Sequence, residues 1–507
     1  MTLSRLFSNS FFSILAKLFN ALVQVICLPV LLRVFGKEDY GLIVIATTLN
    51  TFIAIIQFGL PTGIPKFVAE WLAKKEYNEL ESSVRTIVSF YILLGVINGL
   101  ILITVAIFGI SLFNVSSNQV QILRLLLMIT AITSLLSMPA TVLDQLLTGA
   151  HELAFVSKMQ MVKNLSQGIL VALVYFRSEW FTVPMFYGIQ CGLFFLMLPG
   201  KVWCWSKHAD LKVLLPGLNV RSVLPLLKYC ISVFAFFMFM MIAKKLTPVV
   251  LAVRVNENVG LVLSEFQIIN YIHMFLMMIA GSFTAALVPF ISGATASGDS
   301  KMYQNTMVQG TKYIWAFGAL CGFGIIMLSR EVIAVYVGVE YMHLSLWLTV
   351  HIFASLYNLY NPAMSSVVLS SGILMPLVIV TALGAIVSIL CCWWLAPVYG
   401  VGSVSIALLA NNVISFLIMN FWYYPKYFHL KPFAQFFQVF LPPLFAGVVM
   451  VWLGQYIMQV IGITGDWMRI GFGAAIGAIV YTSLILILYI HPAEVKNLIF
   501  RLKPSSA

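Results

Sequence analysis

Charge is scarce in this 507-residue chain: only 9% of its residues are Asp, Glu, Lys or Arg, where a soluble domain carries about a quarter. With 61% hydrophobic residues and a mean hydropathy of +1.00, that scarcity excludes both a compact soluble domain and a disordered chain. Cysteine is sparse and unpatterned. The seven cysteines have no CxxC spacing and no paired histidines, so neither a zinc site nor a disulfide framework is supported. They read as small buried residues in helix packing. The loop from about Lys201 to Lys228 is the longest, and it contains no GxxxxGKS or GxxxxGKT, which argues against ATP-driven transport by this chain alone. No outer loop exceeds about a dozen residues, too short for the catalytic loop of a membrane glycosyltransferase or ligase. The chain is therefore expected not to be an enzyme, with no catalytic residue, metal or cofactor. The N-terminus is not expected to be a cleavable signal either. The apolar run from Ser10 to Phe35 is too long for an h-region and lacks a small-residue cleavage site, so it is expected to be the first span.

Long apolar runs are what the chain does contain. Windows of helical length fall near 10–35, 41–61, 85–112, 122–148, 156–176, 181–199, 223–250, 259–291, 307–329, 342–369, 373–396, 400–422, 435–461 and 468–490, about 14 spans in all. The runs are continuous rather than alternating, so they predict helices and not a barrel. The net charge of +12 would suggest nucleic acid in a soluble protein, but here it reports topology. With a cytoplasmic N-terminus, one side collects Lys66, Lys74, Lys75, Arg85, Lys158, Lys163, Lys201, Lys207 and Lys212, among others. That side outnumbers the other roughly two to one, which predicts both termini in the cytoplasm and no nucleic-acid partner. The segment Phe67 to Arg85 mixes apolar and charged residues at helical spacing and predicts an interfacial helix between the second and third spans.

An internal repeat organises the spans. Asp39-Tyr40-Gly41-Leu42-Ile43-Val44 opens the second span, and Asn258-Val259-Gly260-Leu261-Val262-Leu263 opens the eighth. Ala73-Lys74-Lys75-Glu76-Tyr77 is echoed in the same order by Ala296-Ser297-Gly298-Asp299-Ser300. An offset of six spans gives both units one orientation. The expected architecture is an all-α polytopic membrane protein with two six-helix lobes, a parallel repeat, around a central cavity. The lobes are expected at 1–205 and 206–430, with two additional helices and a cytoplasmic tail at 431–507.

Polar residues inside the spans are costly and therefore informative. Ser10, Ser13, Lys17, Asn20 and Gln24 fall at steps of three and four, forming one stripe on the first span. Thr47, Asn50, Thr51 and Gln57 mark the second span, and Thr130, Thr133, Ser137, Thr141, Asp144 and Thr148 the fourth. Hydroxyl stripes alone also serve close helix packing, and Lys17 could snorkel to the interface. Lys244 and Lys245 near the outer end of the seventh span read equally as interfacial anchors or as cavity residues, whereas Glu265 lies about two turns into the eighth. His273 and His351 also fall within spans, where a lone histidine is more often a hydrogen-bonded core residue. Lys17, Arg33, Arg124, Lys244 and Lys245 together would give a cationic cavity suited to a phosphate or pyrophosphate. Asp144 and Glu265 would then be proton or sodium sites, or counter-ions.

The stretch Leu28-Pro29-Val30-Leu31-Leu32-Arg33-Val34-Phe35-Gly36-Lys37-Glu38-Asp39-Tyr40-Gly41 resembles the signature joining the first two spans of polysaccharide-transport proteins, including Wzx-type O-antigen flippases. Phe58-Gly59-Leu60-Pro61 and Lys66-Phe67-Val68-Ala69-Glu70-Trp71-Leu72-Ala73-Lys74 are similar to the stretch after their second span. The match covers about the first 95 residues. The resemblance implies membership of the multidrug/oligosaccharidyl-lipid/polysaccharide (MOP) exporter superfamily. It implies an oligosaccharide on a polyprenyl pyrophosphate, moved by alternating access from the cytoplasmic to the outer leaflet of a bacterial or archaeal cytoplasmic membrane. Membrane lipids and polysaccharide polymerase machinery are the partners this implies, and the membrane potential, with H⁺ or Na⁺, the drive. On this reading Lys17, Arg33, Arg124, Lys244 and Lys245 meet the pyrophosphate and Asn20, Gln24, Asn50 and Gln57 the sugar. Two other substrates fit the same fold: lipid II or another peptidoglycan precursor, and a drug cation, which would call for acidic and apolar cavity residues instead.

Overall fold

The computed structural model describes residues 3–51, 57, 60–296, 300–361, 364 and 375–489. Among these residues helix is the only regular structure, with no strand. Its principal helices are α1 (Leu3–Thr51), α2 (Leu60–Lys74), α3 (Tyr77–Thr104), α4 (Ser117–Gly149), α5 (Leu153–Phe176), α6 (Val183–Gly192), α7 (Leu198–Trp205) and α8 (Val220–Arg254). They continue as α9 (Val259–Ala296), α10 (Ser300–Met327), α11 (Ser329–Tyr336), α12 (Ser345–Tyr360), α13 (Met375–Tyr399), α14 (Gly402–Ile418), α15 (Leu441–Val460) and α16 (Asp466–Leu488). Among the described residues, ten helices are long and apolar enough to cross a membrane, against the fourteen windows read from the sequence. Part of the difference is α1, which counts once although it bends at Gly36. There φ is 80° and ψ 167°, a conformation glycine adopts without the Cβ penalty.

The expected interfacial helix over 67–85 is set differently. Helix α2 starts earlier, at Leu60, and stops at Lys74, where Lys75 takes a left-handed φ of 58°. Residues 77–85 already belong to the next span. Leu60, Ile64, Val68 and Trp71, at steps of four, four and three, bury one face of α2 against Leu80, Val84, Ile87 and Tyr91 of α3 and Val142 and Leu146 of α4. The opposite face is charged, with Glu70 and Lys74 paired at 2.6 Å.

The chain divides into two compact units: residues 1–271 with 389–404, and residues 272–388 with 405–507. In the first, α3 and α4 pack through small residues, Gly95 against the Leu135 backbone and Gly99 against Ala131, as expected where lipid supplies no hydrophobic drive for helix association. The two glycines of the repeated hexapeptide, Gly41 and Gly260, meet backbone to backbone. Polar bonds surround this contact. Asn258 caps α9 by accepting from the Gly260 N–H at 2.9 Å, and donates to Glu38 and Gln119 at 3.3 and 3.1 Å. The Gln119 amide in turn donates to Glu38 at 3.0 Å.

In the second unit Trp315 is fully buried and stacks on Phe440 at 5.4 Å, donating its indole N–H to the Phe440 carbonyl at 2.9 Å. Helices α15 and α16, outside the sequence repeat, are tied to this core. Gly447 and Gly454 lie against Phe323 and Met327 of α10, Tyr481 donates to the Ala316 carbonyl at 2.7 Å, and Arg469 pairs with buried Glu331 of α11 at 2.8 Å.

The Gly41–Gly260 contact leaves no room for a side chain. Gly41→Ala is expected to cost about 1–3 kcal/mol by overpacking and to lower the melting midpoint in detergent. Gly168→Ala, where an added Cβ meets nothing within 4 Å, is expected to be neutral or stabilising by up to about 1 kcal/mol. Equal midpoints for the two variants would contradict the contact.

Candidate functional site

The first unit holds a partly enclosed cavity of about 60 Å³ whose lining includes Gln24, Tyr40, Thr47, Gln167, Gln190, Gln267 and Tyr271. The bend at Gly36 makes it possible. The half of α1 before the bend presents Gln24, Cys27, Leu28 and Leu31 at helical steps, and the half after it returns Tyr40, Ile43, Val44 and Thr47 to the same space. Helices α5, α6 and α9 add Gln167, Gln190 and the Gln267–Tyr271 pair. The lining carries four primary amides, two phenols and one threonine hydroxyl, and no Asp, Glu, Lys, Arg or His.

Several of these groups are already bonded to one another. Tyr271 is hydrogen-bonded by Gln267 and Tyr40. Gln24 donates to Asn20 at 3.3 Å, and Thr47 donates back to the Ile43 and Val44 carbonyls of its own helix at 2.9 and 3.0 Å. The Gln190 carbonyl oxygen is buried with no hydrogen-bond partner among the described residues, an acceptor that costs about 1–3 kcal/mol if left unmet. Amides and phenols offer donors and acceptors in near-equal number. Such a surface solvates hydroxyl groups or a few waters, for which 60 Å³ suffices, and offers no charge to an ion.

The sequence-predicted residues are distributed unevenly around this cavity. Gln24 and Thr47 line it, and Asn20 supports Gln24. Lys17 and Arg33 are exposed and do not line it. Asn50 accepts from fully buried Asn98 of α3 at 3.1 Å, and Gln57 faces the Met138 sulfur at 3.6 Å. Arg124 is exposed and donates to the Ala106 carbonyl at 3.2 Å. The side chains of Lys244 and Lys245 lie outside the described residues. Glu265 is buried in α9.

Asp144 is engaged rather than open. Lys201, 5% exposed, pairs with it at 2.7 Å and rests against the Phe194 ring at 5.1 Å. This corrects the assignment of Lys201 to a cytoplasmic loop. The sixth apolar window breaks between α6 and α7, with Pro199 at the start of α7, and the break turns Lys201 inward. Lys163 of α5 is close enough to interact electrostatically with both Lys201 and Asp144, so three charges gather inside this unit.

Tyr40, Gln167, Gln190, Gln267 and Tyr271 were not singled out from the sequence. The signal was present for some of them. Gln160, Asn164 and Gln167 step by four and three along α5, as the polar stripe of α1 does, and Gln267 and Tyr271 are one helical turn apart.

The chain matches a family described as polysaccharide biosynthesis protein over residues 6–295, more than half its length. No curated protein matches it. Its fold is similar to that of the lipid II flippase MurJ in the inward closed conformation, with a TM-score of 0.70 and 14% identity, covering 96% of this chain and 99% of that one. It is also similar to an inward-facing multidrug resistance MATE family transporter of the MOP superfamily, with a TM-score of 0.56 and 14% identity over 79% of this chain and 92% of that one. A MATE crystal structure in complex with MaD3S gives 0.54 and 14% over 81% and 93%.

Removing one member of a buried ion pair strands the other. Asp144→Asn is expected to destabilise the protein by roughly 3 kcal/mol, the lower end for such changes because Asp144 keeps some exposure. Adding Lys201→Met to Asp144→Asn should recover most of the loss. Melting midpoints that simply add in the double variant would contradict the pairing.

Proposed function

We propose that this chain, which belongs to the polysaccharide biosynthesis protein family, is a flippase for an oligosaccharide carried on a polyprenyl pyrophosphate, an O-antigen or other polysaccharide repeat unit. It is a multi-pass membrane protein with the fold of MOP transporters. Transport would run from the cytoplasmic to the outer leaflet by alternating access, without a chemical step. The termini would be cytoplasmic, and the lobes at 1–205 and 206–430 would flank the path, with 431–507 beside them.

One observation carries the reading: the cavity is polar yet neutral, lined by Gln24, Gln167, Gln190 and Gln267 with Tyr40 and Tyr271. Moving a sugar across hydrocarbon costs the desolvation of each hydroxyl unless a partner replaces water. Amide and phenol groups are such partners, and the lining holds no carboxylate to pair with a lipophilic cation. About 60 Å³ is smaller than a sugar, so the same residues must part when the site opens to one leaflet.

The pyrophosphate is assigned to the cations. Exposed Lys17 and Arg33 on α1 are the first candidates, with Arg124, Lys244 and Lys245 beyond them. Asn50 and Gln57 extend the sugar-facing set, and Asp144 and Glu265 remain the proposed coupling carboxylates, Asp144 through its exchangeable bond to Lys201. With the cytoplasm negative, each negative charge leaving gains about 2.3 kcal/mol per 100 mV, so the potential favours outward movement of the lipid.

Native mass spectrometry of the purified protein tests this with four ligands: the polyprenyl-pyrophosphate oligosaccharide, the same lipid without sugar, lipid II and a lipophilic drug cation. The oligosaccharide lipid is expected to bind best. Lys17→Ala should weaken both the oligosaccharide lipid and the same lipid without sugar, and Gln167→Leu with Gln190→Leu the former and not the latter, each by about tenfold for roughly 1.4 kcal/mol of lost hydrogen bonding. Preference for lipid II would move the substrate to a peptidoglycan precursor. Preference for the cation, indifferent to Lys17, would overturn the reading.

A further inference from the structure

We infer that the break between α6 and α7 forms a binding groove for one anionic phospholipid, with an acyl chain along α7 and the phosphate at Lys207. The open groove measures about 740 Å³ and is lined by Phe195, Leu198, Pro199, Val202, Trp203 and Leu211. It exists because the sixth apolar window is not one continuous helix. Helix α6 ends at Gly192, a short turn spans Phe195–Met197, and α7 restarts at Leu198 with Pro199 in its first turn. Pro199 has no N–H with which to continue a helical ladder, and the discontinuity leaves a hollow beside the chain. The stretch Val183–Trp205 that holds it is long and apolar enough to cross a membrane.

Helix α7 divides its two faces. Lys201, Cys204 and Trp205 are buried, whereas Leu198, Val202, Trp203 and Ser206 follow the groove at steps of four, one and three. Apart from the Trp203 indole N–H, the lining's one polar side chain is Ser206, whose hydroxyl is donated to the Trp203 carbonyl at 2.8 Å. Such a wall accepts hydrocarbon and leaves sugar hydroxyls without partners. A chain gains little there over its place among other lipids, so selectivity has to come from the headgroup end.

At that end stands Lys207. Its ammonium lies 3.4 Å from the centroid of the Trp203 ring, a lining residue, which fixes the cation at the rim of the groove. The neighbouring charged groups are engaged elsewhere. His208 lies 3.5 Å from Glu152, and Asp210 accepts from the Lys212 backbone N–H at 3.0 Å. One cation over an apolar groove matches one phosphodiester over an acyl chain, and a glycan on pyrophosphate would bring hydroxyls that this rim does not serve. Lys426 provides a contrast: it stands over Trp422 and Tyr427 at 5.2 and 5.4 Å, rings that do not line this groove.

Occupancy bears on the charges behind α7. The Phe195 ring meets Phe194 edge to face at 5.6 Å, and the Phe194 ring lies 5.1 Å from the Lys201 ammonium. A seated chain therefore backs the turn that aims Lys201 at Asp144. On the proposed topology the headgroup lies in the cytoplasmic leaflet, where anionic lipids concentrate; the choice of leaflet rests on that topology, whereas the binding does not.

Native mass spectrometry of the full chain, delipidated in detergent and titrated with phosphatidylglycerol or phosphatidylcholine of identical oleoyl chains, tests the site. Phosphatidylglycerol is expected to be retained about fivefold better, the effect of one lysine beside an anionic lipid. Lys207→Gln should bring that ratio to about one, with phosphatidylcholine retention as its folding control, while Lys426→Gln leaves the ratio unchanged. Ser206→Trp, at an exposed position, should fill the groove and weaken both lipids. Phosphatidylglycerol with a photoreactive acyl chain should label residues 195–211 in the wild type and not in Ser206→Trp. Equal retention of the two lipids, a ratio that Lys207→Gln leaves alone or that Lys426→Gln lowers as much, or labelling that falls elsewhere or ignores Ser206→Trp would each overturn the site. Retention of polyprenyl phosphate in place of phosphatidylglycerol, lost in Ser206→Trp, would also overturn it and give the groove to the tail of the transported lipid.

Discussion

Inside a bilayer a polar group has no water to turn to, so each one must find its partner within the protein or face an aqueous space. That constraint accounts for most of what is specific in this structure. Hydroxyls on the fourth predicted span bond back to their own helix, as Thr133 does to Ile129 and Thr141 to Met138. Amides pair across helices, as Asn98 does with Asn50. The Gln24–Gln167–Gln190–Gln267 lining remains, gathered around a cavity where the Gln190 oxygen has no partner among the described residues. A concentration of amides beyond what helix packing requires distinguishes a site from a scaffold.

Charge obeys the same constraint at higher stakes. Lys201 is buried and is tolerated because Asp144 lies 2.7 Å away, while Glu331 has Arg469 at 2.8 Å. Lys17 and Arg33 stay exposed. These ionic groups, fixed as pairs or left at accessible surfaces, are separate from the neutral polar cavity. A lipid with an anionic head and a neutral glycan presents the same two chemistries, and this division of labour is what links the geometry to the proposed substrate.

Much of this was legible in the sequence. Apolar continuity gave the helices, and the repeated Asp39–Val44 and Asn258–Leu263 segments contain the two glycines that meet. The stripe through Asn20 and Gln24 pointed to a wall of the cavity. The cavity's other walls were not legible as one site, because Gln190 is the sole amide of α6, the Gln160–Asn164–Gln167 stripe lies on a separate helix, and only tertiary packing brings them together. Lys201 was misread for a related reason: charge density near a span end suggests a loop, and the break between α6 and α7 that turns it inward depends on packing against α4. The α2 boundary was missed because Lys75, a residue with no special turn propensity, adopts φ 58°.

The central claim is that a hydroxyl-rich lipid crosses the membrane through this protein. Its most direct test is reconstitution into liposomes with a fluorescent polyprenyl-pyrophosphate oligosaccharide, reading how much of the glycan becomes accessible to an external glycosidase. Protein-dependent exposure of the glycan, accelerated by an inside-negative potential and reduced in the Gln167→Leu, Gln190→Leu variant, is the predicted result. Folded protein that leaves the glycan as protected as in protein-free liposomes, with or without a potential, would contradict it.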